Sequence, residues 1–248
     1  MIRDRIAITG SFLACIGVLG FIVGCTPSNQ TAPPNPAGIQ LSPSPQTFSS
    51  PSITLKDSLL GDSLCSMPCW LEITPGITPS DQALRILQET NLISPDSLVS
   101  GELEPGSGDA YWRWNKGAQA NWVKPFIRWR NGIVDEIALF PDSPISVDEM
   151  FAKLGYPEKV GLIDVGTPEN PGGYIVTLYY PTKGYELDVL IEEYDDPVLR
   201  PADDIYAIRL FEPMTLEKRI EFLGFNEDYI LYLEDWKGYG PILELYVN

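Results

Sequence analysis

Residues 122–140 read WVKPFIRWRNGIVDEIALF, two runs rich in apolar and β-branched residues parted by Asn131-Gly132. Asn-Gly is among the strongest two-residue hairpin signals, because both positions accept the positive φ that a tight antiparallel turn requires. The flanks therefore read as two strands, Trp122 to Arg130 and Ile133 to Phe140. Read with period two, Ile127 and Trp129 share one face and Phe126, Arg128 and Arg130 share the other. The same alternation over Ala110 to Asn115 puts Trp112 and Trp114 inward and Tyr111 and Arg113 outward.

Working outward, the pattern repeats. Tyr174 to Tyr180, Tyr185 to Glu192 and Ile205 to Phe211 read as three further strands, with Lys183-Gly184 turning the first pair. A helix precedes each group. Thr78-Pro79-Ser80-Asp81 opens the first, with Thr78 as N-cap, Pro79 at the first helical position and Leu84 and Leu87 as the apolar stripe. Ser146-Val147-Asp148-Glu149 is a capping box opening the second, which Gly155 ends. Thr215 opens a third helix that runs through Leu223 to Gly224. Only Tyr229 to Leu233 and Ile242 to Val247 remain as strand-like runs. The fold class is α+β: tandem units of one helix plus three antiparallel strands, at about 70–140 and 141–211, a partial third at 212–248, and helices packed on one face of the sheet.

Upstream lies a different kind of sequence. Arg3 and Arg5 precede an apolar run from Ile6 that ends in Ile22-Val23-Gly24-Cys25. A basic start, an apolar stretch and a small residue before cysteine resemble the lipobox of bacterial lipoproteins. The resemblance implies a signal peptide over residues 1–24, cleavage before Cys25, acylation of Cys25 by palmitate-like chains, and an extracytoplasmic domain anchored to a membrane through that lipid. One acyl chain holds a protein marginally; two or three hold it stably. From Thr26 to Ser52 the chain is Pro, Ser, Thr, Asn and Gln with scarcely an aliphatic residue, so residues 25–52 read as a disordered tether. At ~3.1 Å per residue in extended polyproline form, it reaches on the order of 80 Å. The working domain is then 53–248.

The chain carries 17 basic and 34 acidic residues and no histidine. Taking away Arg3, Arg5 and Asp4 with the signal leaves a net charge of about −18, which repels nucleic acid and anionic lipid. Without histidine there is no Ser-His-Asp or Cys-His catalysis, no histidine-bound zinc and no near-neutral general base of the usual kind. Neither a metal centre nor a cofactor motif is legible. Of four cysteines, Cys15 leaves with the signal and Cys25 is lipidated. Cys65 and Cys69 remain, and in an extracytoplasmic chain they read as a disulfide closing the Ser66-Met67-Pro68 loop.

Ile73-Thr74-Pro75-Gly76-Ile77-Thr78, a helix and then Trp-rich antiparallel strands resemble the small repeat of the BamE lipoprotein and β-lactamase-inhibitor-protein families, where two such units stand in tandem. Pro68-Cys69-Trp70 is similar to other bacterial lipoproteins. The sequence departs from the repeat in Glu158 to Gly173 and in the extra C-terminal part. What the resemblance implies is binding to other proteins of the cell envelope.

One surface stands out. From Ala110 to Val134 there is no acidic residue, yet the stretch holds Arg113, Lys116, Lys124, Arg128 and Arg130. With Tyr111 and Phe126 these form a candidate binding surface, since Arg and aromatic side chains dominate binding hot spots. The competing reading is that the strip pairs with outward acids of the second unit, Glu186 and Asp188. Further on, Glu192-Glu193, Asp195-Asp196 and Asp203-Asp204 bracket a loop. Such carboxylates can act as acid and base in a hydrolase of cell-wall or polysaccharide substrates, with Glu192, Asp195 or Asp203 as candidates. Calcium is a further use of such a loop, but the D-x-D-x-D-G order is missing. The leading expectation is a membrane-anchored protein-binding or envelope-assembly module rather than an enzyme.

Overall fold

The computed structural model describes residues 54–246 apart from 62–64, 116–122, 166–171, 194 and 226. The expected signal peptide (1–24), the expected tether (25–52) and Lys116 lie outside the described residues.

The quoted hairpin forms as read. Strands β3 (Phe126–Arg130) and β4 (Ile133–Leu139) pair antiparallel across Asn131 and Gly132, whose φ angles are 52° and 75°. Two strands precede them, not one. β1 (Val99–Glu104) and β2 (Ser107–Tyr111) form a hairpin around Pro105-Gly106. The strand expected at Ala110 to Asn115 thus starts earlier and ends at Tyr111. β1 escaped the sequence reading because VSGELE is poor in the residues that favour strands.

The second unit also has an extra strand. β5 (Lys159–Asp164) occupies the stretch that departs from the repeat, and pairs with β6 (Tyr174–Tyr180), which pairs with β7 (Tyr185–Ile191). After the two-residue β8 (Val198–Leu199), β9 (Ile205–Phe211) inserts between β7 and β4. The result is one eight-stranded antiparallel sheet, ordered β1-β2-β3-β4-β9-β7-β6-β5. The units meet at β4 and β9, with Ile137 opposite Leu210 and Leu139 opposite Ile208.

Helix α1 (Leu55–Leu60) was not foreseen, although Thr54 and Asp57 make it a capping box. α2 (Ser80–Glu89) begins one residue later than its expected cap: Pro79 is the N-cap, and the Thr78 hydroxyl accepts the Thr74 N–H instead. α3 (Val147–Leu154) has the predicted Ser146–Glu149 box and ends at Gly155, φ 79°. α4 (Leu216–Phe222) is capped by Thr215, as expected. The partial third unit supplies no strand to the sheet. Glu227–Tyr232 is a 3-10 turn, α5 (Ile242–Tyr246) is a short helix, and the two-residue β10 (Gly240–Pro241) pairs with β8.

Both units share one core. Trp70, Leu87, Trp112, Ile137, Met150, Leu178, Leu187 and Ile208 belong to a continuous apolar cluster on the sheet's inner face, against which α2 and α3 pack. Tyr179 lies between Leu178 and Tyr180 in β6 and so points the other way. It packs with Ile220 of α4 and with Leu233 in a second, smaller cluster. Helices therefore cover both faces, not one. The physical reason is that the outer face of β6, β7 and β9 carries its own apolar and charged side chains, which α4 folds back to bury.

The segment before α2 is fastened at several points. Cys65 and Cys69 form the expected disulfide, with Cα atoms 5.7 Å apart. The Lys56 ammonium lies 2.6 Å from the Glu149 carboxylate, tying α1 to the start of α3. Hydrogen bonding to Lys56, then to the Ser146 N–H, holds the Glu149 carboxyl below its ordinary value of 4.5. A depressed carboxylate pKa means stability that is present above the unfolded value and lost as pH falls through the folded one. Glu149→Gln is expected to remove the part of acid unfolding below pH 4.5 that titrates with this group, read by unfolding curves across pH.

Gly108 in β2 is a point of close approach. A Cβ there would meet the Gly101 carbonyl oxygen at 2.2 Å and the Trp129 ring at 2.5 Å. Gly108→Ala must push β1 or Trp129 aside, with an expected loss of about 1–3 kcal/mol in urea unfolding.

Candidate functional site

The outward row of β3 and β4 does not stand free. Arg128 pairs in register with Glu136, while Asp135 is the extra residue of a bulge beside Arg128 and Trp129. Arg128 bonds the Glu136 carboxylate, and Arg130 Nε lies 2.9 Å from Asp135 Oδ2. Both Asp135 oxygens are buried, with Arg128 Nε at 3.5 Å from Oδ1 and Arg130 Nε at 2.9 Å from Oδ2. Burial pushes the Asp135 carboxyl up, against the opposing pull of Arg128 and Arg130.

Next to this pair α4 lowers Arg219 onto the sheet, where the residue is 0% exposed. Its Nε and Nη2 donate to Glu186 at 3.0 and 2.9 Å, and Nη2 also donates to Glu136 at 3.1 Å. The guanidinium carbon lies 3.9 Å from the centre of the Phe211 ring, a contact that favours the cation. Burial works against the Arg219 charge, but Glu186 and Glu136 outweigh it and hold the group above its ordinary range. Arg209 continues the chain, 2.9 Å from Glu186 and 2.8 Å from Asp188. The Thr177 hydroxyl donates to Asp188 at 2.8 Å. Burial pushes the Asp188 carboxyl up, with Arg209 pulling it down.

The network joins Arg128, Arg130, Arg209 and Arg219 to Asp135, Glu136, Glu186 and Asp188, four charges of each sign. Sequence reasoning named Glu186 and Asp188 as partners for the basic strip, but these acids bond Arg209 and Arg219, while Arg128 and Arg130 of the strip take Asp135 and Glu136, their neighbours across the hairpin. Arg219 was missed, and with it the two acids of β4 itself. A signal was present: Leu216, Arg219, Ile220 and Leu223 follow the i, i+3, i+4, i+7 spacing of a buried helix face, with an arginine in the second place.

The remaining residues of the predicted surface separate from this network. Tyr111 and Phe126 lie in register on the outer face, ring centres 5.8 Å apart. The Tyr111 hydroxyl donates to Asp109 at 2.8 Å. Tyr111 is 40% exposed and its cross-strand neighbour Val99 66%, and with Ser97 and Lys124 they line a shallow cleft of about 400 Å³. Arg113 is exposed but lies past the end of β2, where its carbonyl accepts the Ser94 N–H and its own N–H bonds the Ser97 hydroxyl. The structure thus brings Tyr111, Lys124 and Phe126 together, assigns Arg128 and Arg130 to the charge network, and leaves Arg113 apart. Charge reversal at Arg128 tests folding; at Lys124 it tests a surface.

The acidic loop forms a second cleft. Glu192, Glu193, Asp203 and Asp204 line about 450 Å³ together with Val123, Phe140, Arg200 and Tyr206. Asp195 and Asp196 are exposed outside that lining. Asp203 is engaged locally, its carboxylate accepting the Arg200 N–H at 2.7 Å, and the Arg200 guanidinium lies 3.4 Å from Glu193. Among the described residues, no three His, Cys, Asp or Glu side chains gather as a metal site.

Compared with protein-family models, with curated proteins and with solved structures, the chain finds no match.

Proposed function

We propose that this protein is an extracytoplasmic, lipid-anchored binding module, held by acylated Cys25 and a proline-rich tether, that receives another protein of the cell envelope at the open end of its sheet. One observation carries the reading. Every residue of β1 is exposed: Val99, at 66%, lies opposite Tyr111, which packs on Phe126, and Leu103, at 69%, stands out at a bulge nearer the turn. Edge strands of folded proteins are usually covered, shortened or heavily charged, because their unpaired amides recruit other strands. This edge keeps apolar side chains in water, which is the pattern of a docking edge. The lipobox resemblance and the net negative charge support a protein partner rather than nucleic acid.

The test is a photo-reactive residue at Val99 in cells making the full chain, with a second at exposed Glu244 of α5 as control. A defined partner captured from Val99 and absent from Glu244 supports the reading. Equal capture from both, or none, overturns it. The anchor is tested separately: Cys25→Ala is expected to abolish incorporation of labelled palmitate and to leave residues 1–24 on the chain, seen as a slower-migrating band.

A further inference from the structure

We propose that Arg113 and Lys124 form an anion site where β2 and β3 leave the sheet, and that it seats an Asp or Glu side chain of an extended segment of the docking protein, with an apolar residue two positions along that segment resting on Tyr111 and Phe126. This rests on the reading of the open end of the sheet as a docking surface and names the chemistry of its partner.

The two cations meet because the pairing runs on past the last residue of β2. Tyr111 stands opposite Phe126, and the Trp112 N–H donates to the Pro125 carbonyl at 3.3 Å. The next pair in that register is Arg113 and Lys124. Burial alternates in step: Trp112, Trp114 and Pro125 are buried, whereas Tyr111, Arg113 and Lys124 are exposed, so both cations stand on the outer face. Since the pair before them carries the hydrogen bond, theirs is a non-hydrogen-bonded position, where facing side chains come closest. The backbone of Arg113 is fixed on its other side, its carbonyl accepting the Ser94 N–H at 2.8 Å and its N–H donating to the Ser97 hydroxyl at 3.1 Å. Arg113 lines no cleft itself, but it is held across from Lys124, which does, together with Ser97, Val99 and Tyr111.

Like charges directly opposite each other in a sheet are destabilising. The fold does not relieve this pair. Among the described residues neither cation has an ion-pair partner, whereas Arg128 and Arg130, farther along β3, take Glu136 and Asp135. Residues 114–123, which join the two cations, include no Asp or Glu. Asp109, the acid of β2, lies four residues away and accepts the Tyr111 hydroxyl. In a chain with 34 acidic and 17 basic residues, two facing cations without a counter-charge fit an anion that comes from outside.

The neighbours select the kind of anion. The Arg113 N–H and the Tyr111 hydroxyl are already used within the fold, so the free donors are the guanidinium and the ammonium. A guanidinium matches a carboxylate with two parallel N–H bonds, and the ammonium adds a point charge. One pair along, Tyr111 and Phe126 offer ring surface beside exposed Val99. An extended peptide points residues i and i+2 the same way, about 7 Å apart, which is the step from the cation pair to the aromatic pair.

The test uses the full chain in mild detergent and three labelled peptides with blocked ends: Thr-Glu-Thr-Val-Thr, its glutamine counterpart Thr-Gln-Thr-Val-Thr, and Thr-Glu-Val-Thr-Thr, in which the valine turns to the other side. Binding is read by fluorescence anisotropy at about 0.15 M salt, where charges more than about 8 Å away are largely screened and the net charge of −17 is felt least. The first peptide is expected to bind about fivefold more tightly than the second, the size of one exposed ion pair, and to lose that advantage at about 1 M salt. It is expected to bind more tightly than the third as well. Lys124→Glu is expected to erase the preference for glutamate and, by turning the repulsion into a cross-strand pair with Arg113, to raise the urea midpoint. Arg113→Gln is expected to erase the preference without lowering the midpoint. Equal binding of the first two peptides, a preference that survives Lys124→Glu, or a lower midpoint in Lys124→Glu overturns the site; equal binding of the first and third overturns the two-residue spacing. If the Val99 probe captures a partner while the glutamate peptide has no advantage, the anion site falls and the docking surface stands. If the probe captures nothing and the advantage is absent, both fall.

Discussion

Arg219→Ala is expected to lower the stability of the fold by about 3–5 kcal/mol in urea unfolding, a loss typical of breaking a buried ion network from one side. The reason lies in what remains. Glu136 and Glu186 are 4% and 1% exposed, and they lose the guanidinium that bridges them. Lysine replaces it poorly, since an ammonium lacks the planar Nε and Nη2 pair that holds both oxygens of Glu186 while Nη2 also reaches Glu136. Arg219→Lys should therefore recover only part of the loss. Arg219→Met combined with Glu136→Gln and Glu186→Gln removes the stranded charges together and should be much nearer the native stability than Arg219→Ala. If Arg219→Ala loses less than about 1 kcal/mol, water reaches these carboxylates and the network is a surface one.

Trp70→Ala is the second large effect, with an expected loss of about 3–5 kcal/mol. The ring is 1% exposed, stacked on Trp112 at 6.0 Å and set edge-on to Trp114 at the same distance. Its indole N–H donates to the Ser58 hydroxyl of α1 at 3.1 Å. Because Trp70 follows Cys69 directly, it fixes the disulfide loop and α1 to the core at once. Amide hydrogen exchange should show α1 opening in the variant before α3 does. Equal protection of the two helices would mean that Leu55 and Leu59, not Trp70, hold α1.

The Asn131-Gly132 turn, the alternation of Ile127 and Trp129 against Arg128, and the caps at Ser146 and Thr215 were legible because each is decided within a few residues. β1 and β5 were not. An exposed edge strand needs neither β-branched residues nor strict alternation, and its sequence then resembles a loop. The face chosen by α4 was hidden for another reason: it depends on Tyr179 and Glu186, which come from strands far away in the chain. The surface predicted from the basic run divided for a different reason. Tyr111, Lys124 and Phe126 come together on the outer face. Arg128 and Arg130 instead pair with Asp135 and Glu136, acids that lie just past the acid-free run and face them across the hairpin.

Arg219 is also late. It is made 83 residues after Glu136 and 33 after Glu186. As the chain emerges from its N-terminus, every strand of the main sheet precedes it, and until it arrives the outer face holds more acid than base. A chain cut short before α4 is therefore expected to leave Glu136 and Glu186 uncovered and hydrated on the outer face, which limited proteolysis of that truncation beside the full chain would show as faster cleavage.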